Sequence, residues 1–204
     1  MIVDIVVMAH PSRAPQAIRL AREIDALTAW DERNDEWDNG ARAWRTTDPA
    51  ADWAVVVQDD ALPVPNFRHH LHRALAQTPR TGISLYVGTG RPRAERVRRA
   101  VHEATRQGAS WLECDSLLWG VAIALPAEHV DHMLEWAQHQ RQPYDQRISA
   151  WYRARRQPVR MTWPSLVDHA DGPTLVKSGR PAVPRHAHLA AEPEHDWSGP
   201  VVRI

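Results

Sequence analysis

Cysteine and lysine are nearly missing from this chain. One thiol, Cys114, in 204 residues excludes an internal disulfide and fits a reducing, cytoplasmic compartment. Lys177 is the only lysine among 25 basic residues. The arginine excess reads first as a GC-rich coding bias and second as an adaptation to phosphate. Net charge is missing too. The 25 basic and 25 acidic residues cancel, so no global field draws the chain to nucleic acid or membrane, although local patches still can. No apolar run approaches the roughly 20 residues of a membrane-spanning helix. Met1 to Met8 is apolar but short, lacks a basic flank and contains Asp4, with His10 close behind, which argues against a signal peptide. No repeat is visible. Gly88-Thr-Gly90 has neither the lysine nor the early position of a phosphate-cradling loop.

What is present suits one α/β domain with a sizeable core: 43% of the residues are hydrophobic. The most informative stretch is Trp53-Ala-Val-Val-Val-Gln-Asp-Asp-Ala-Leu62. Its apolar run, Ala54 to Val57, lacks polar alternation and reads as a strand covered on both faces. It ends in adjacent carboxylates, Asp59 and Asp60, where ligands sit in an open α/β sheet. Ile2 to Met8 is a similar strand, followed by the break His10-Pro-Ser-Arg13. A helix then spans Pro15 to Leu27, with Ser12 a candidate cap. Further strands are expected at Ala26–Trp30, Gly82–Val87, Trp119–Leu125 and Val159–Trp163. Helices are expected from Asn66 to Ala76, Arg93 to Gln107, Ala127 to Trp136 and Tyr144 to Arg155. Asp31 to Gly40 reads as acidic and irregular, with one or two helical turns at Ala41–Trp44. Pro63 and Pro65 exclude a helix directly after the acid pair. From Gly179 onward the chain is rich in Pro, His and Ala and reads as a tail lying over the domain.

Several residues are candidates for chemistry, each with a plainer alternative. Asp59 and Asp60 suit a hard divalent cation; the alternative is a turn or cap acid, disfavoured by the prolines that follow. His169, after a late strand, is a second ligand candidate tilting preference toward Mn²⁺; alone it reads as a buried turn histidine. Arg13 can face a phosphate or be a surface arginine. Asp115 and Asp145 are candidate general bases, against a turn acid and a first-turn helix acid respectively. His69, His70 and His72 read as a solvated helix face. Arg91, Arg93, Arg96, Arg98, Arg99 and Arg106 form a basic segment, an exposed helix or a contact for an anionic acceptor such as DNA. Most of the ten tryptophans read as core, with Trp111, Trp119 and Trp151 candidates for stacking on a sugar or base.

An ordered set of motifs resembles the small GT-A-type glycosyltransferases encoded by actinobacterial phages. It comprises His10-Pro-Ser-Arg13, Asp31, Asn39-Gly40, Arg42-Ala-Trp44, Val57-Gln-Asp-Asp60, Ser84-Leu-Tyr-Val87, Trp119 to Pro126, Tyr144-Asp-Gln-Arg-Ile148 and Pro164 to Thr174. The likeness spans about residues 1 to 190. It implies a single GT-A-like (Rossmann-like) α/β domain over residues 1–178, with a mostly parallel central sheet flanked by helices, and a Pro/His-rich tail at 179–204. It also implies a nucleotide-sugar donor, usually a uridine diphosphate sugar, and a divalent cation, Mn²⁺ or Mg²⁺. By the resemblance His10, Pro11, Ser12, Arg13 and Asp31 flank the nucleoside, and Arg42 lies near the diphosphate. Asp60 and His169 hold the metal, and Asp145 meets the acceptor. Gln58 stands where the usual motif has its first Asp, which leaves Asp60 as the ligand and turns Asp59 toward the donor.

The expected activity is transfer of a sugar to a hydroxyl, with a hydroxymethylated pyrimidine of phage DNA first among acceptors and Trp119, Arg96 and Arg99 as acceptor contacts. Protein or glycan acceptors stay open. So do two other classes: a nucleotide-binding module without turnover, and a metal-dependent nucleotidyltransferase or hydrolase. No membrane partner is expected, and a phage enzyme would work in the host cytoplasm.

Overall fold

A computed structural model of the protein describes residues 1–90, 92–170 and 185–204. Parts of the sequence reading, Arg91, Asp171 to Thr174 and Lys177, lie outside them. The first strand, β1 (Val3–Ala9), leads through a 3-10 turn (Pro11–Arg13) into α1 (Ala14–Glu23) and β2 (Leu27–Trp30). Then come α2 (Glu36–Thr46), β3 (Trp53–Gln58), β4 (Ala61–Pro63), α3 (Phe67–Ala76) and β5 (Ile83–Ser84). The second half comprises α4 (Ala94–Gln107), β6 (Trp111–Cys114), β7 (Ala122–Pro126), α5 (Ala127–Ala137) and α6 (Tyr144–Ala154). It closes with β8 (Val159–Thr162), β9 (Val167–His169) and β10 (Val201–Arg203).

Eight strands form one mostly parallel sheet in the order β10-β6-β8-β5-β7-β3-β1-β2, and β4 pairs with β9 in a separate ribbon. β1 is parallel to both β2 and β3, whereas β7 is antiparallel to β3 and to β5. Helices cover both faces. Val55 and Val57 pack with Ile5 and Val7 under Leu20 of α1, Leu71 of α3 and Val97 of α4. Ala54 and Val56 point the other way, with Val6 and Met8, toward Trp44 of α2, Met133 of α5 and Ile148 of α6. Burial on both faces explains the continuous apolar runs Ile5–Ala9 of β1 and Trp53–Val57 of β3. No helix among the described residues is long and apolar enough to cross a membrane.

Several elements differ from the sequence reading, which has no strand at β4, β6 or β9. The irregular stretch after Asp31 contains the start of α2: the Asp35 side chain accepts the Asp38 N–H at 2.7 Å and caps the helix. Gly40 and Asn39 disguise it, because both are weak helix formers. Conversely, Ser12 does not cap α1; Arg13 stands at that N-cap with no side-chain hydrogen bond to the helix. β5 is shorter than expected because Val87 turns to other partners, with its N–H on Ser165 Oγ at 2.9 Å and its carbonyl accepting the His188 N–H at 2.9 Å. The expected tail supplies an edge strand. β10 runs parallel to β6, and Trp197 is buried against Trp111.

Candidate functional site

The loops after β1 and β2 diverge to opposite faces of the sheet. From β1 the chain passes through α1 on one face to β2; from β2 it returns through α2 on the other face to β3. The carboxyl ends of β1 and β2 therefore border the position where open α/β sheets bind ligands, a crevice with the parallel end of β3 alongside β1. Asp59 and Asp60 follow β3 directly and are both buried. The Asp59 N–H extends the ladder to the Met8 carbonyl at 3.1 Å. Asp59 Oδ2 accepts the His10 N–H at 2.7 Å, which ties the two loops together.

Arg13 lies across the acid pair. Its Nη1 is 2.6 Å from Asp60 Oδ2 and 2.9 Å from Asp59 Oδ1, with only 14% of its side chain exposed. Burial opposes the charge on Arg13, but Asp60 and Asp59 outweigh it and hold the guanidinium pKa above its ordinary value. Burial also pushes the Asp59 carboxyl up, against the downward pull of the His10 N–H and Arg13.

The β4–β9 ribbon delivers His169. Its register sets Ala61 opposite His169, and the Ala170 N–H donates to the Asp60 carbonyl at 2.8 Å. His169 Nε2 consequently lies 3.5 Å from Asp60 Oδ2. His169 Nδ1 is 2.7 Å from the Ala170 carbonyl. That oxygen can only accept, so Nδ1 carries a proton and, in neutral imidazole, the Nε2 lone pair faces the carboxylate. Asp60 Oδ1 is buried without a hydrogen-bond partner among the described residues. A buried carboxylate with one orphaned oxygen, its other oxygen facing an acceptor nitrogen, fits a cation. Among the described residues no group of three or more His, Cys, Asp and Glu side chains forms a metal cage. Two protein ligands suit instead a Mg²⁺- or Mn²⁺-type site completed by substrate phosphates and water.

The loops after β1 and β2 are tied by hydrogen bonds. Ser12 N–H donates to His10 Nδ1 at 3.1 Å, which leaves Nε2 to donate to Asn34 Oδ1 at 3.3 Å. Asp31 accepts the N–H groups of Arg33 and Asn34, at 2.9 and 2.8 Å, and its own N–H donates to the Ala9 carbonyl at 2.8 Å. Pro11 opens the 3-10 turn between them. His10 to Arg13, Asp31, Asp59, Asp60 and His169 thus come together as the sequence reading expects. Arg42 does not join the acid pair; it binds Glu32 at 2.9 Å and lies 3.6 Å from Asp38.

An aromatic wall and a second acidic pair complete the region. Tyr86 is tilted toward His169, ring centroids 6.4 Å apart, and stands edge-on to Trp119 at 5.8 Å. The residue after Trp119 is Gly120, where a Cβ would lie 3.1 Å from the Cβ of Asp145. Asp145, in the first turn of α6, therefore stands over this loop, and burial raises its carboxyl pKa. Close to it is Glu36, in the first turn of α2. Burial, then the charge of Asp145, raises the Glu36 pKa, while Glu36 accepts the Tyr144 N–H at the start of α6. Pro143 at the N-cap of α6 has no side-chain acceptor to offer, so α2 caps α6. Glu36 is absent from the sequence reading, although an Asp35 cap followed by acids signals a helix start.

Other expected residues lie elsewhere. Asp115 follows β6, which is antiparallel to β8 and four strand spacings from β3, about 19 Å along the sheet. Strand directions put its end of β6 opposite the carboxyl ends of β1 and β3. Asp115 pairs with Arg93 at 2.9 Å, and that hydrogen bond lowers its pKa, so it is not the base of this crevice. Arg96 and Arg99 face outward on α4, which packs on β6 and β10 at the far edge of the sheet. Trp111 and Trp151 belong to the core. His70 is fully buried against Trp197, not part of a solvated face.

No protein-family model matches the chain, and no curated protein matches it.

Proposed function

We propose that the protein is a divalent-cation-dependent glycosyltransferase of the GT-A type, similar to the small phage enzymes, which moves a sugar from a uridine diphosphate donor to a hydroxyl acceptor. The observation that carries this is the approach of His169 Nε2 to Asp60 Oδ2, 3.5 Å apart, at the ligand-binding end of β3. Asp60 and His169 would hold the cation. A cation there supplies positive charge to a leaving diphosphate. The loops of His10 to Arg13 and Asp31 flank the nucleoside, and the Tyr86–Trp119 wall offers an apolar face to a sugar ring. Asp145, its carboxyl pKa raised by burial, is the stronger base for it and accepts the proton of the acceptor hydroxyl once ionised. Glu36 holds the backbone beside it. With Arg96 and Arg99 on the far edge of the sheet, the acceptor is specified as a hydroxyl group only.

The test is a thermal-shift screen of uridine diphosphate sugars with and without Mn²⁺, followed by donor hydrolysis. At a ligand concentration 100-fold above Kd the stabilisation is about 2.7 kcal/mol, roughly 5–10 °C for a chain of this size. The shift should need both donor and Mn²⁺ and vanish in Asp60→Asn. Asp145→Asn should keep the shift and lose sugar transfer. Unchanged Mn²⁺-dependent hydrolysis in Asp60→Asn would refute the metal assignment. A shift without turnover toward any hydroxyl acceptor would favour the non-catalytic nucleotide-binding module.

A further inference from the structure

The position of Arg13 bears on how the cation and the nucleotide enter the site. A cation held by both His169 and Asp60 must use the carboxylate oxygen that His169 faces, Oδ2, 3.5 Å from Nε2. That same oxygen already accepts Arg13 Nη1 at 2.6 Å. The orphaned oxygen, Oδ1, is not the one His169 faces. A guanidinium and a dication cannot share one carboxylate oxygen at bonding distance without strong repulsion in a site this buried. Arg13 has a second anchor, Asp59 Oδ1 at 2.9 Å, while the other Asp59 oxygen is fixed by the His10 N–H at 2.7 Å. Asp59 can therefore keep the guanidinium after Asp60 releases it.

We propose that Arg13 is a displaceable internal counter-cation at Asp60, so that a divalent cation and a nucleoside diphosphate bind cooperatively: the cation takes Asp60 from Arg13, and the diphosphate receives the guanidinium. This rests on the metal site proposed above and deepens it. Without ligand, Arg13 bonds both buried carboxylates and offsets one of their two charges, where acids left with no cation would be strongly destabilising. The cation alone then binds weakly, because it must break the 2.6 Å contact. A diphosphate pairs well with a planar, bidentate guanidinium and removes that penalty. Linkage makes the effect reciprocal: the cation tightens the nucleotide by the same factor. Asp59 acquires a role that agrees with the Gln58-Asp59-Asp60 order, as the anchor of Arg13 and not as a metal ligand.

The test is Mn²⁺ affinity, read from the free-ion electron paramagnetic resonance signal, with and without uridine diphosphate. Wild type should bind Mn²⁺ weakly alone and at least tenfold more tightly with the nucleotide. Arg13→Gln should bind Mn²⁺ alone at least tenfold more tightly than wild type and show a correspondingly smaller gain from nucleotide. Arg13→Lys, which keeps a cation in place, should stay close to wild type. If Arg13 only braces the acids, Arg13→Gln will bind Mn²⁺ equally or more weakly, and the proposal fails while the metal site survives. If no protein binds Mn²⁺ even with nucleotide, the metal site fails and the proposal with it. Native protein gives an independent readout: titration with Mg²⁺ should shift the guanidinium ¹⁵N–¹H resonances of Arg13. Mg²⁺ binding at Asp60 with those resonances unmoved overturns the displacement.

Discussion

Replacing Gly40 with alanine should destabilise the protein, although the substitution normally does the opposite within a helix. Gly40 lies inside α2, and alanine there gains about 1 kcal/mol of helix propensity. Its Cβ, however, would lie 2.3 Å from Tyr144 Cδ2 and 2.4 Å from Cε2. The ring has little room to retreat. Tyr144 is fully buried, and a Cβ at Gly120 would already be 3.4 Å from Cδ1. Overpacking of this kind costs typically 1–3 kcal/mol, and the depth of the overlap places it in the upper part of that range. The net is a loss of about 1–2 kcal/mol, a fall in Tm of roughly 2–8 °C. The damage should also reach function, since Tyr144 adjoins Asp145: turnover should fall more than donor affinity. The assay is calorimetry on Gly40→Ala, Tyr144→Leu and the double variant. The double variant should be less impaired than the sum of the singles, with a coupling of about 1 kcal/mol. A raised Tm in Gly40→Ala would refute the close packing of α2 on α6.

Two further outcomes follow from the other end of the sheet. Trp197, with 1% of its surface exposed, packs on Trp111, His70 and His195, so Trp197→Ala should cost about 3–5 kcal/mol in chemical denaturation; a loss below about 1 kcal/mol would exclude residues 185–204 from the cooperative unit. Burial lowers the pKa values of His70 and His195, so the folded state binds fewer protons than the unfolded chain. Stability is then complete above the ordinary histidine range, near pH 6.5, and declines as the pH falls below it. Tm measured from pH 8 to pH 5 should drop accordingly, and His70→Phe should flatten the drop.

The parts of the structure that follow from local physics were legible in the sequence. β1 and β3 are buried on both faces, which writes Ile5–Ala9 and Trp53–Val57 as apolar runs, and the acids after β3 fall at the carboxyl end of the strand. Other parts depend on contacts between distant residues. α2 carries two poor helix formers, Gly40, which makes sense only beside the Tyr144 ring, and Asn39, whose side chain donates to the Ala9 carbonyl. Glu36 becomes interesting because α6 begins without a capping side chain, a fact of another element. His169 could be placed from the resemblance, but its approach to Asp60 depends on the β4–β9 register. That Arg96 and Arg99 lie apart from Asp60 was not legible, because a basic helix states its charge and not its location; the strand order puts it at the far edge. Asp115 failed for a related reason, since the direction of β6 cannot be read from its four residues.

The pairing of β10 with β6 has a consequence for the order of assembly. Arg203 meets Glu113 across a separation of 90 residues. Closing so long a loop is slow relative to local contacts. A ribosome-bound chain must therefore carry β6, with the large apolar surface of Trp111, for the whole time needed to synthesise the intervening segment. At roughly 5–20 residues per second that is about 5–20 s of exposure. The crevice at β1 and β3, drawn from the first half of the chain and its neighbours, can form while this edge is still open. The same edge should be the first to reopen, with the amides of β10 and β6 exchanging with solvent sooner than those of β1 and β3.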